Sequence, residues 1–245
     1  AFCFRGKRCK RTDYRKVLVS APEEIQAIKN KLHETMSDYD IWVQKNLIQD
    51  IQLERMRANV NKCKSQPLLS ILLPTYNADE RLLREALDSI YNQIYQKWEI
   101  CIVDDGSNNG IDVERVLQQY VKLGCKIKYK KLGQNRNISA ATNEAFAMSK
   151  GNYIFLMDHD DLLERNALSE VVEALNIYPD IDVIYSDDDK IDMEGKRYAP
   201  QFKPDFSPEL LLSFMYFSHI FVIKRELFAR VGGLREGYEG SQDYD

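Results

Sequence analysis

Long hydrophobic runs are missing from this chain. Its apolar stretches are short, such as Leu68-Leu69 and Ile71 to Leu73, well below the roughly 20 residues that cross a bilayer, so an integral membrane reading falls away. Cysteine is scarce too: Cys3, Cys9, Cys63, Cys101 and Cys125 are odd in number and include no C-x-x-C. That excludes a disulfide framework and a zinc ribbon and fits a reducing compartment. No G-x-G-x-x-G follows the first apolar strand and no G-x-x-x-x-G-K-[ST] occurs, which argues against dinucleotide oxidoreductases and P-loop nucleotidases. The start, Ala1 to Arg5, has neither an initiator Met nor a secretory signal, so the chain reads as an excised fragment. With 44% apolar and 29% charged residues among 245, the rest is ordinary globular composition.

Charge is divided unevenly. Residues 1–66 hold 14 Lys/Arg and 8 Asp/Glu, a net +6, whereas residues 67–245 hold 20 and 30, a net −10. In the first part Arg5, Lys7, Arg8, Lys10, Arg11, Arg15 and Lys16 stand beside Phe2, Phe4 and Tyr14. Residues 1–16 therefore suit peripheral contact with anionic lipid headgroups, and equally suit a solvated tail. Nucleic acid is not an expected partner, because the acidic remainder would repel phosphate. From Ala21 to Lys64 apolar residues recur at three and four spacings, which predicts one or two helices docked on the main domain. Ser65-Gln66-Pro67 marks the junction, dividing a basic tail and helical arm (1–66) from an α/β domain (67–245).

Beyond Pro67 the period alternates. Strands are expected at 68–73, 98–103, 125–131, 153–157 and 182–185, and helices at 79–93, 111–123, 137–149 and 163–177. Repeated strand-helix-strand units imply a mostly parallel Rossmann-like sheet with helices on both faces. Ligands of such sheets sit at the carboxyl ends of the strands.

Those ends are acidic. Pro74-Thr75-Tyr76-Asn77 follows the first strand, Asp104-Asp105-Gly106-Ser107 the second and Asp158-His159-Asp160-Asp161 the fourth. In an extended segment, side chains two apart share a face, so Asp158 and Asp160 are expected to address one ligand. Paired oxygen donors suit Mg²⁺ or Mn²⁺ shared with a diphosphate. One Asp at a strand end is often just a cap, but clustered acids repel unless a cation joins them.

In order and spacing these segments resemble the nucleotide-sugar half of glycosyltransferase family 2, together with Asn135 and Ala141-Thr142-Asn143-Glu144-Ala145. Tyr185-Ser186-Asp187-Asp188-Asp189-Lys190, Phe202-Lys203-Pro204-Asp205 and Gly232-Gly233-Leu234 through Gln242-Asp243 resemble its acceptor half. The resemblance implies a GT-A fold and an inverting, metal-dependent glycosyltransferase of the kind used in bacterial surface polysaccharide synthesis. Its donor would be a nucleotide-diphosphate sugar, UDP or dTDP favoured, and its acceptor a glycan or lipid-linked hydroxyl. Its place would be cytoplasmic, peripheral at the inner face of the membrane. It implies that Pro74, Tyr76, Asp104 and Asp105 line the nucleoside site, that Asn135 and Asn143 face the nucleotide, and that Asp158 and Asp160 hold Mn²⁺ or Mg²⁺. Asp243 would be the catalytic base, with Asp187, Asp188 and Gln242 on the acceptor side.

Two departures from the family pattern stand out. Asn137 occupies a position where Gly is usual, and the chain stops two residues after Asp243, so the domain reads as truncated. By residue type alone Asp243 reads first as a helix N-cap after Gly240-Ser241, a preference that the family position reverses, and His219, in an alternating stretch, reads as a sheet residue rather than a ligand. A noncatalytic nucleotide-sugar-binding or scaffold module of a larger transferase is the alternative function. A nucleotidyltransferase would need a Gly-rich basic loop after the first strand, and an Asp-nucleophile phosphohydrolase would need Asp where Asn77 stands.

Overall fold

In the computed structural model, residues 36–242 and 244 are described; the basic cluster of residues 5–16 and the proposed base Asp243 lie outside them. Two helices come first, α1 (Asp38–Asn46) and α2 (Asp50–Val60). Ser37 begins α1 with a capping box: its hydroxyl accepts from the Asp40 N–H, and the Asp40 carboxylate accepts from the Ser37 N–H. The buried side chains of α2 are Leu53 and Val60. At the junction, the Asn176 side-chain amide bonds both the N–H and the carbonyl of Ser65.

The central sheet has the order β3-β2-β1-β4-β8-β5. Its strands are β1 (Leu69–Thr75), β2 (Trp98–Asp104), β3 (Ile127–Lys131), β4 (Tyr153–Leu156), β5 (Val183–Tyr185) and β8 (Phe221–Lys224). The pairs β1–β2, β1–β4 and β2–β3 are parallel. Strand β8 departs from the uniformly parallel repeat. It inserts antiparallel between β4 and β5, having returned after the hairpin β6 (Asp188–Ile191) with β7 (Arg197–Gln201). Periodicity identifies a strand but not its neighbour, which is decided by the crossover.

The two faces are covered differently. Helices α3 (Glu80–Tyr91), α4 (Val113–Lys122) and α6 (Ala167–Ile177) bury their apolar stripes with Leu69, Ile71, Leu73, Ile100, Ile102 and Phe155. In α3 the buried residues are Leu83, Ala86, Leu87 and Ile90, and in α4 Val113, Val116, Leu117 and Tyr120. Both sets follow the i, i+3, i+4, i+7 stripe of an amphipathic helix. The Asp79 carboxylate caps α3 by accepting from the Arg81 and Leu82 N–H groups. On the other face lie α5 (Asn137–Met148) and α7 (Arg225–Val231). There Ala141 and Ala145 meet Leu72, Cys101 and Val103, their small side chains letting α5 approach the strands. Alternate residues of β1 thus feed opposite layers, as the pleat requires.

At the amino end of the sheet, opposite the acidic exits, Glu99 is only 5% exposed. It accepts from the Ser70 hydroxyl and the Lys150 N–H and pairs with Lys128. Burial alone would push the Glu99 carboxyl up, but Lys128, Ser70 and Lys150 together hold it below the usual carboxylate range. A depressed folded pKa stabilises above the unfolded value, about 4.3, and that contribution is lost as the pH falls through the folded pKa. Glu99→Gln is expected to flatten the acid limb of stability below about pH 4.3 and to cost about 1–3 kcal/mol at neutral pH. Urea melts across pH 3–7 check both, and an unchanged acid limb would contradict the assignment.

Candidate active site

The exits of β1 and β2 are neighbours, with Thr75 opposite Asp104 in register, and they are laced together. The Asp105 N–H donates to the Thr75 carbonyl at 2.8 Å. Asn77 takes a left-handed conformation at φ 48°, and its side-chain oxygen accepts from the Asn108 and Asn109 N–H groups. Asp104 is buried; one carboxylate oxygen accepts from the Ser107 N–H at 2.8 Å and the other lies 3.2 Å from Lys131 Nζ. Asp105 is buried as well, and burial pushes its carboxyl up although it accepts from the Arg136 N–H. Pro74 stands beside these acids at the end of β1, and the Tyr76 ring is 43% exposed at the rim. The structure therefore gathers Pro74, Tyr76, Asp104 and Asp105 at one edge.

Asn135 and Asn143 both make hydrogen bonds within the chain. Asn135 is exposed, and its side-chain oxygen accepts from the N–H of Asn137. Asn137 itself is left-handed at φ 69°, a conformation Asn tolerates better than most residues, which explains how it stands at a position where Gly is usual. Asn143 is engaged by the backbone of Leu234. Its amide donates to the Leu234 carbonyl at 2.7 Å and accepts from the Leu234 N–H at 2.9 Å, clamping the Gly232-Gly233-Leu234 segment.

At the exit of β4 the chain turns. The Asp161 N–H donates to the Asp158 carbonyl at 3.3 Å, so residues 158–161 form a turn whose first and fourth members converge. Asp160, expected beside Asp158 on the extended spacing, is instead an exposed corner residue, and it is Asp161 that turns back toward Asp158. His219 joins them from the far side. Its Nδ1 lies 3.2 Å from Asp161 Oδ2 and its Nε2 4.0 Å from Asp158 Oδ2. The strand reading of His219 fails because β8 begins only at Phe221, leaving His219 in the connection before it.

Donor atoms of Asp158, Asp161 and His219 all lie within 4.8 Å of one another. Burial, followed by the charges of Asp158 and Asp160, pushes the Asp161 carboxyl up to about 6 against the opposing effect of His219. Its Oδ2 is buried and faces His219 Nδ1 without a formed hydrogen bond. Two carboxylates and an imidazole are a donor set for Mn²⁺ or a similar divalent ion, and their convergence fits that use.

Asp158, His219 and Gln242 also line a pocket of about 440 Å³ whose walls include Met157, Met215, Phe221 and Leu234. A smaller hollow of about 20 Å³ shares Asp158 and Gln242 and adds Pro74 and Thr142. Gln242 accepts from the Gly240 N–H at 2.7 Å. Asp187 and Asp188, expected on the acceptor side, both contact Lys203: Asp187 accepts from the Lys203 N–H at 2.7 Å and Asp188 pairs with the Lys203 ammonium. Sequence reasoning passed over Asp161 and Lys203 and discounted His219. The only local signal for Asp161 was its i, i+3 spacing from Asp158.

Comparison with known proteins agrees with the fold. The family profile described as Glycosyl transferase family 2 matches residues 70–232. The O-antigen biosynthesis protein RfbC of Myxococcus xanthus is 35% identical over 211 residues, 86% of this chain and 16% of its own length. Among solved structures, S. aureus TarS 1-349 in complex with UDP superposes with a TM-score of 0.59 at 19% identity, covering 72% of this chain and 52% of that one. The mannosyltransferase PcManGT from Pyrobaculum calidifontis, in complex with GDP-Man and Mn²⁺, gives a TM-score of 0.56 at 22% identity, covering 79% and 56%. The chain therefore spans a small part of RfbC and about half of each solved chain.

Proposed function

The chain belongs to glycosyl transferase family 2, and from that premise we propose that it transfers a sugar from a nucleotide-diphosphate donor to a hydroxyl of a glycan or lipid-linked acceptor, with inversion. The observation that carries this reading is the convergence of Asp158, Asp161 and His219 at the carboxyl edge of the sheet, where Asp158 and His219 line a pocket. The UDP and GDP-Man of the two solved relatives support a nucleotide-sugar donor.

Each residue has a distinct task in this reading. Pro74, Tyr76, Asp104 and Asp105 form the nucleoside edge, Asp104 and Asp105 acting as buried acids that hold the loop in shape and offer their remaining acceptor capacity to the base and ribose. Asp158, Asp161 and His219 would hold the divalent ion, which when bound offsets charge on the departing diphosphate. Asp243 follows Gln242 in sequence and lies outside the described residues; as the base, its carboxylate would take the proton of the acceptor hydroxyl as that oxygen attacks the anomeric carbon. One displacement reverses the anomeric configuration. The basic residues 5–16 would bring the chain to an anionic membrane surface that carries the acceptor. Among the described residues no helix is long and apolar enough to cross a membrane.

The direct test is a panel of UDP-, dTDP- and GDP-sugars offered with Mn²⁺ and a glycan acceptor, reading nucleoside diphosphate release and the product anomer by NMR. Release that EDTA stops, with a product of opposite configuration to the donor, is expected. Donor affinity without any release would leave a binding module, and a retained configuration would discard single displacement.

A further inference from the structure

We infer that Lys203 is a positioning residue that sets His219 in place for the cation, an inference that rests on the proposed function. The Lys203 side chain is 3% exposed, so it cannot itself meet a diphosphate or an acceptor. A buried ammonium is costly unless its charge and its three N–H donors are all answered. Here they are: Nζ donates to the Phe217 carbonyl and to the His219 carbonyl, each at 2.6 Å, and pairs with the Asp188 carboxylate.

The geometry of those two carbonyls gives the lysine its role. They flank Ser218, which is left-handed at φ 43°, a conformation that a residue with a Cβ holds only with outside help. One cation bonding both carbonyls fixes the 217–218 and 219–220 peptide planes, the second of which adjoins the His219 Cα, and so limits the directions in which the His219 side chain departs. The imidazole then reaches 3.2 Å from Asp161. Other contacts anchor the same segment. The Phe217 ring stacks on Tyr185 at 4.5 Å, and the Ile220 N–H donates to the Ser186 hydroxyl at 3.3 Å. Burial lowers the Lys203 pKa, with Asp188 and Asp187 opposing the shift. The acidic run at 187–188 thus serves the cation site at one remove, through the lysine.

A double-mutant cycle in Mn²⁺ binding, followed by the loss of the free-ion EPR signal, tests this. Lys203→Met and His219→Ala are each expected to weaken Mn²⁺ at least tenfold, and the double variant to be no weaker than His219→Ala alone, because the lysine acts only through the histidine. Metal-free UDP affinity, measured calorimetrically, should stay within twofold, which general loosening of the fold would not allow. Effects that multiply in the double variant, or an unchanged affinity in Lys203→Met, overturn the inference. If Lys203→Met lacks a cooperative melt, Asp188→Asn carries the same cycle with the same expected signs, and no effect there overturns it equally. Failure of the unsubstituted protein to bind Mn²⁺ removes the proposed cation site as well, so the two failures are told apart.

Discussion

Asp161→Asn is expected to abolish the rise in melting temperature that Mn²⁺ produces while making the metal-free protein more stable. The two effects share one cause. With the folded pKa of Asp161 raised to about 6, the native state holds its proton more tightly than the unfolded chain does. Its contribution is therefore fully present below the unfolded value, about 3.9, and is lost as pH rises through about 6. At neutral pH the charged carboxylate is a burden that the neutral amide does not carry. Since 36% of the side-chain surface is still in water, screening reduces the gain to about 1 kcal/mol. A bound ion reverses the sign, because a ligand at 100 times its dissociation constant stabilises by about 2.7 kcal/mol.

Asp158→Asn should lose the same metal-dependent stabilisation, whereas Asp160→Asn, at the exposed corner of the turn, should lose less than about 1 kcal/mol of it. Urea and thermal melts at pH 7.5, with Mn²⁺ and with EDTA, read all three variants. An Asp161→Asn protein that keeps the full metal shift, or an Asp160→Asn protein that loses it, would return the ion to the pair expected from extended spacing.

The second large effect is expected at Gly106, in the loop that carries Asp104 and Asp105. A Cβ there would stand 2.8 Å from the Gln134 carbonyl carbon and 2.9 Å from the Asn135 nitrogen, both backbone atoms, at φ +75°. The left-handed conformation costs a residue with a Cβ about 1–2 kcal/mol, and overpacking adds about 1–3 kcal/mol. Gly106→Ala should therefore lose about 2–5 kcal/mol of stability. It should also weaken nucleotide binding, because the displaced 134–136 segment includes the Arg136 N–H that Asp105 accepts. Gly110→Ala is the control: its φ is +86° but no atom lies within 4 Å of the added carbon, so only the conformational cost applies. Denaturant midpoints that are equal for the two variants would show that the close approach at Gly106 is not a rigid one.

Both predictions concern details that the sequence could only partly supply. The stripe of Leu83, Ala86, Leu87 and Ile90 and the wholly buried β2 are local patterns with their own periods, so their element types were legible. Gly and Asn at the strand exits were legible as turns, because few other residues accept positive φ. The proposed metal donors were harder. The acidic run after β4 was visible, yet its two-residue spacing pointed to Asp160, and only the turn at 158–161 shows that the third residue onward is the one that returns. His219 lies 58 positions from Asp161, and no periodicity relates them. Asn143 and the Asp187-Asp188 pair were recognisable as special positions, but their partners, Leu234 and Lys203, are again remote.

The chain by itself thus determined the alternation of strands and helices, the acid-rich exits and the family to which they belong, because each is written in neighbouring residues through period, turn chemistry and motif. Tertiary structure alone decided that β8 slips antiparallel between β4 and β5, delivering His219 to Asp158 and Asp161. It alone placed a buried lysine behind that histidine. Such pairings depend on where a long connection re-enters the sheet, which is governed by the packing of the whole domain and not by any local pattern.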